Sequence, residues 1–203
     1  IIYAFKFYNR AQLANAQLGL PEFKGFLKEG PDKQKEYEEN INGVRWHVSL
    51  LKFALFPVAP GTLTIEPARL IADAVIQSRD ENSFFDDFLP ARRMKRVTLT
   101  SVPLTVTVNA LPGTARPKSF SGLVGQFTLA THLSKNTLTT GDSTTLTVTI
   151  WGNGNLRDFF LPQNTSADFK AYDDQPEFKT AMSDGYWKAT KIFKRALVPL
   201  KPG

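Results

Sequence analysis

Only two histidines occur in the 203 residues, His47 and His132, each in an alternating apolar and polar run with no second histidine or carboxylate cluster at ligand spacing. An imidazole that binds metal or moves protons needs such neighbours to fix its tautomer and complete the coordination. Without them, both histidines read as structural or surface residues. Cysteine is absent, which excludes disulfides, thiolate nucleophiles and Cys-ligated zinc. Serines are plentiful, but no Gly-x-Ser-x-Gly elbow presents one as a nucleophile. Adjacent carboxylates stand at Asp86-Asp87 and Asp173-Asp174. Neighbours on a strand point to opposite faces, so neither pair converges as an acid/base couple in extended chain. The Gly152-x-Gly154 turn lacks the Gly-Lys-Ser/Thr of a phosphate loop. Catalytic, cofactor-binding and metal residues are therefore expected to number none, and the chain is read as a non-enzyme.

The segment best composed for contact is 78–96. Phe84, Phe85 and Phe88 interleave with Asp86 and Asp87, and Arg92, Arg93, Lys95 and Arg96 follow. Aromatic residues flanked by charge are typical of interface centres, so Phe84, Phe85, Asp86, Asp87, Phe88, Arg92 and Arg93 are the candidate partner-binding residues, carried on a long hairpin or loop insertion. The same rings could instead fold back and plug the edge of a sandwich, and both readings stay open. A net charge of +6 and a pI near 9.5 favour anionic partners. The basic residues are scattered apart from 92–96, and no groove-reading helix or stacking motif accompanies them, so nucleic acid is not expected.

The elements that must position these residues are strands. Phe127–Leu133, 145–150 and 104–109 alternate apolar with polar and are rich in Thr and Val, the pattern of a strand with one buried face. Asn42-Gly43 and Asp184-Gly185 supply the chemistry of tight hairpins, and Thr140-Gly141-Asp142 and 152–155 that of turns. Segment 10–18 is rich in Ala and Gln and 68–77 has near-helical spacing after Pro67, so either could form a short helix, and for 68–77 a strand is preferred. Segment 28–39 is charged, nearly without apolar residues, and reads as an exposed loop. Segments 97–100 and 104–109 flank Pro103 as one interrupted strand.

A repeat organises the whole. The passage from Asn42-Gly43 to Pro60-Gly61 returns from Asp184-Gly185 to Pro202-Gly203, at the offset of 142 that separates Gly43 from Gly185, with Lys52/Lys194, Ala54/Ala196, Leu55/Leu197 and Pro57/Pro199 shared. Two copies of one domain follow: an all-β chain of two tandem immunoglobulin-like β-sandwich domains, 1–111 and 112–203, the first bearing the insertion at 78–96. The first copy is expected to lack its opening strand and the second its closing strand, so sheet edges are exposed and dimerisation through them is expected.

Several phrases converge on a known family. Leu20-Pro-Glu-Phe-Lys-Gly-Phe26, Phe84-Phe-Asp-Asp-Phe88, Phe120-Ser-Gly-Leu-Val-Gly-Gln-Phe127, Gly152-Asn-Gly-Asn-Leu156 and 197–203 resemble the BatD oxygen-tolerance (aerotolerance) proteins. That resemblance implies a periplasmic or extracytoplasmic array of immunoglobulin-like domains in a protein anchored to the inner membrane outside this fragment. It implies von Willebrand A-type membrane proteins as partners and a MoxR-type ATPase on the cytoplasmic side, and it assigns no catalytic residues. Rival readings are an adhesive or glycan-binding sandwich module and an enzyme accessory domain.

Overall fold

The computed structural model describes the chain except residues 32, 78–91, 115, 164–165, 184 and 203. It is all-β, with no helix among the described residues, and its antiparallel sheets are those of β-sandwich domains. Two compact units form, Tyr3–Leu111 and Pro112–Gly203.

In the first unit the spine is β5 (Val44–Pro57). On one side lies β1 (Ile2–Asn9), where the backbones of Ile1 and Leu55 exchange both hydrogen bonds, at 2.9 and 2.8 Å. On the other side β3 (Phe26–Glu29) pairs the C-terminal half of β5, from Phe26↔Pro57, and β4 (Lys35–Ile41) pairs the N-terminal half. Asn42 and Gly43 close the β4–β5 hairpin with φ of 53° and 80°, the left-handed pair a type I′ turn requires and Asn-Gly tolerates. A three-stranded sheet is built from β2 (Leu13–Gly19), β7 (Arg69–Gln77) and β8 (Arg92–Thr100). A two-stranded ribbon joins β6 (Gly61–Ile65) to β9 (Leu104–Val108). The ribbon closes a core of Tyr3, Phe23, Phe53, Leu55 and Ile65, against which Phe5, Leu20, Phe26, Leu51 and Val106 pack. Tyr3 meets Phe23 edge-on, with centroids 4.9 Å apart, the arrangement favoured by the ring quadrupoles.

Segment 68–77 is the preferred strand, whereas three other expectations need correction. Segment 10–18 holds a strand, β2, and not a short helix. Segment 28–39 is not a loop: it ends β3 and begins β4, an outer strand lying against β5 whose side chains are mostly exposed. Backbone pairing satisfies such a strand without apolar side chains. Segments 97–100 and 104–109 are not one interrupted strand but lie in different sheets, β8 on β7 and β9 on β6. The crossing is fixed at Ser101, whose Oγ accepts from Ala68 N and whose N donates to Ala68 O, each at 2.9 Å.

The second unit repeats the plan on one five-stranded sheet. Its spine β14 (Tyr186–Pro199) lies between β11 (Thr144–Gly152) on one side and β12 (Phe169–Asp173) and β13 (Glu177–Ser183) on the other. Both spines are 14 residues long, and the hairpin registers coincide after the same offset: Lys35↔Leu50 in the first, Glu177↔Ile192 in the second. The sheet adds an outer strand, β10 (Phe127–Leu133), beside β11. Over it lies the segment 153–162, where Leu156 is fully buried and the ring of Phe159 meets Phe193 edge-on at 6.0 Å.

Candidate functional site

Of the candidate partner-binding residues, Phe84, Phe85, Asp86, Asp87 and Phe88 lie outside the described residues. Arg92 and Arg93 open β8, opposite Gln77 and Ile76. The basic run 92–96 is thus the start of an outer strand of the three-stranded sheet, paired with β7 as the hairpin alternative has it, with Met94, Lys95 and Arg96 exposed. His47 stands on β5 with Nδ1 3.7 Å from Glu38 Oε1, and Arg45 lies 3.6 Å from the same carboxylate, all of them well exposed. His47 and Glu38 border an open cleft of about 680 Å³ lined also by Asn9, Arg10 and Glu36. Solvent screens such a pair to a fraction of a kcal/mol. His132 is exposed on β10. No group of three or more His, Cys, Asp or Glu that could hold a metal ion occurs among the described residues.

Among the described residues the buried charges are Glu29 on β3 and, on the inner face of β14, Lys191 and Arg195. Lys191 is only 3% exposed. Its Nζ donates to the carbonyl of Arg157 at 2.5 Å and lies over the rings of Phe160, Phe193 and Phe178 at 4.6, 5.7 and 5.9 Å. Burial pulls its ammonium below the usual lysine range, with Asp158 opposing that shift and Arg157 adding to it. Two residues of the same face further on, Arg195 donates both Nε and Nη2 to the carboxylate of Asp173, the latter at 3.1 Å, and Nη2 also to the carbonyl of Pro162 at 3.1 Å. The two cations therefore tie the covering segment 157–162 to the sheet. Their charge alone gives no sign of burial. The signal that could have found them is the repeat, which sets Lys191 against Ser49 and Arg195 against the buried Phe53.

Of the paired carboxylates, Asp173 is thus committed to Arg195, whose hydrogen bonds hold its carboxyl below the usual range. A depressed acid stabilises the fold above its unfolded value, near 3.8, and that contribution is lost as pH falls through the folded value. Asp173→Asn is expected to cost about 1–2 kcal/mol near neutrality, discounted from the figure for a fully buried pair because the carboxylate is largely exposed. Thermal melts between pH 7 and 2 should show a smaller acid-induced fall in the variant than in the parent.

Two of the resembling phrases, 120–127 and 152–156, turn out to be in contact. Asn153 Oδ1 accepts from Gln126 N at 2.7 Å, and Asn153 N donates to Gln126 O at 3.2 Å. A Cβ on Gly152 would strike the Gln126 carbonyl and the Phe127 ring, and one on Gly154 the Val124 carbonyl and the same ring. These glycines let two backbones meet at the start of the β10–β11 pair. Gly152→Ala is expected to cost about 1–3 kcal/mol by overpacking, read as a lower unfolding temperature together with faster amide exchange in β10.

The fold and these contacts define a pair of antiparallel β-modules in which glycine-mediated backbone contact and buried cations take structural roles. Residues 131–203 match the family model described as BatD DUF11 like domain, and this stretch is a BatD-family domain, as the resemblance implied. The Val124–Phe127 side of the contact lies just before the matched span, and the Gly152–Asn155 side within it. No curated protein matches the chain, and no solved structure does.

Proposed function

We propose that the chain is a non-catalytic protein–protein interaction scaffold of a BatD-type protein, extracytoplasmic and membrane-anchored, acting with von Willebrand A-type membrane proteins in oxygen or stress tolerance. The observation that carries this reading is the BatD-family domain at 131–203. No helix of the described residues is long and apolar enough to cross a membrane. Crosslinking the intact protein in cells and identifying what it captures tests the proposal. Recovery of a von Willebrand A-type protein supports it; recovery of none, or hydrolase activity in the purified chain, overturns it.

A further inference from the structure

Asparagine stands before glycine at Asn42-Gly43 and Asn153-Gly154, and aspartate before glycine at Asp184-Gly185, the place in the second copy that matches the first of these. Such a dipeptide can close on itself, because glycine has no Cβ to obstruct the approach. The Gly43 nitrogen would give its proton to a solvent base and bond to Asn42 Cγ, while the side-chain nitrogen leaves as ammonia and a cyclic imide remains. Water then adds at the side-chain carbonyl to give aspartate, or at the main-chain carbonyl to give isoaspartate, in which the chain runs through the side-chain carbon. No oxidant or cofactor enters.

The two asparagines stand in opposite surroundings. Asn42 and Gly43 are exposed at the tip of the β4–β5 hairpin. A Cβ built on Gly43 would meet nothing within 4 Å, and the pair that closes the tip is Ile41, 37% exposed, with the half-buried Val44. Ring closure requires the Gly43 peptide group to swing out of its type I′ turn onto Asn42 Cγ. Only the tip has to open for this, and an opening that exposes no buried side chain costs little. Asn153 is held instead. Its Oδ1 accepts from Gln126 N at 2.7 Å and its N donates to Gln126 O at 3.2 Å. Gly154 is buried against the Val124 carbonyl and the Phe127 ring. Closure there has to break the side-chain hydrogen bond and pull a buried backbone from its contacts, so the reacting atoms are kept out of attack geometry.

We infer that Asn42 is a site of spontaneous covalent modification, converting to aspartate and isoaspartate through a cyclic imide with Gly43, and that the contact with Gln126 protects Asn153 from the same reaction. The repeat tells the two products apart. The second unit closes β13 and β14 in the same register, Ser183↔Tyr186 against Ile41↔Val44, over a sequence that already has aspartate at the matching position, and Gly185 keeps a φ of 81°. Aspartate at 42 therefore leaves the hairpin intact. Isoaspartate adds a main-chain carbon to a two-residue turn whose length fixes the register, so it unpairs the tip. The inference is independent of the scaffold reading.

The test ages the intact chain in mildly alkaline buffer below its unfolding temperature. Both sites are followed by peptide mass spectrometry, with isoaspartyl methyltransferase labelling to separate the products. Expected is loss of the Asn42 amide at least about tenfold faster than that of Asn153 in the folded chain, the difference closing in denaturant, where both dipeptides are free. Asn42→Asp should keep the parent's unfolding temperature and its amide exchange in β4. The isoaspartate form, separated by chromatography, should exchange faster at 41–44. Equal rates in the folded chain, a faster loss at Asn153, or a difference that persists in denaturant overturns the inference. So does an Asn42 amide that survives in the folded chain while it is lost in denaturant, and a lower unfolding temperature of Asn42→Asp overturns the distinction between the products.

Discussion

Phe53→Ala is expected to destabilise the first unit by about 3–5 kcal/mol, the range for deleting a buried aromatic side chain that its surroundings cannot collapse around. Phe53 is 1% exposed. It lies 5.6 Å from the ring of Phe23 and 6.3 Å from that of Tyr3, in the cluster that also holds Leu55 and Ile65. Its neighbours come from β1 and β5 of one sheet, the 20–26 segment and the β6–β9 ribbon, so the cavity would be walled from several sides by strands held in their own pairings. Such a site relaxes little. For a unit of this size each kcal/mol lowers the unfolding temperature by about 4–8 °C, and the first-unit transition should fall by roughly 12 °C or more. Because no residue of the second unit belongs to this cluster, calorimetry should show the other transition unmoved. A loss below about 1 kcal/mol would mean that the ribbon does not close this core.

Much of this architecture could be read from residue order. The spine strands and their hairpins follow from Asn42-Gly43, Gly185 and the constant offset, because a type I′ turn fixes register and register fixes which face is buried. Strands that depend on a neighbour's backbone were less legible. In β4 the charges face water while the backbone pairs β5, and in β2 the Ala and Gln residues of 13–19 carry no periodicity of their own until β7 lies beside them. The sheet change between β8 and β9 is held by the hydroxyl and backbone N–H of Ser101 on Ala68, an effect of tertiary contact that no pattern over 97–109 could reveal. At the candidate site the basic residues of 92–96 were legible as charge, and as strand only under the hairpin alternative. Lys191 and Arg195 were hidden for a different reason. Alternation marks their positions as inward, yet their charge marks them as outward, and only the carbonyls of Arg157 and Pro162 and the carboxylate of Asp173 reconcile the two.

Lys191 provides the second large effect, and pH separates its parts. Lys191→Ala removes a four-carbon stem packed among Phe160, Phe178 and Phe193 together with the bond to the Arg157 carbonyl. It is expected to cost the second unit about 2–4 kcal/mol, as other buried long-chain truncations do. Lys191→Met keeps the stem and removes the charge. It forfeits the attraction of the ammonium for the rings, about 0.5–2 kcal/mol, and the hydrogen bond, but it also removes the desolvation cost that lowers the amine's pKa. These terms oppose, so Lys191→Met should lie within about 1 kcal/mol of the parent at pH 7. Between the lowered folded value and the ordinary 10.5, the unfolded chain holds the proton that the folded chain has released. The parent therefore gains stability as pH rises through that interval, while Lys191→Met, with nothing to titrate there, does not. Denaturant unfolding of parent and variant from pH 7 to 10.5 should show the difference shifting steadily in the parent's favour. A constant difference would mean that the ammonium is hydrated in the folded protein and that segment 157–162 is held to β14 by the aromatic packing and Arg195 alone.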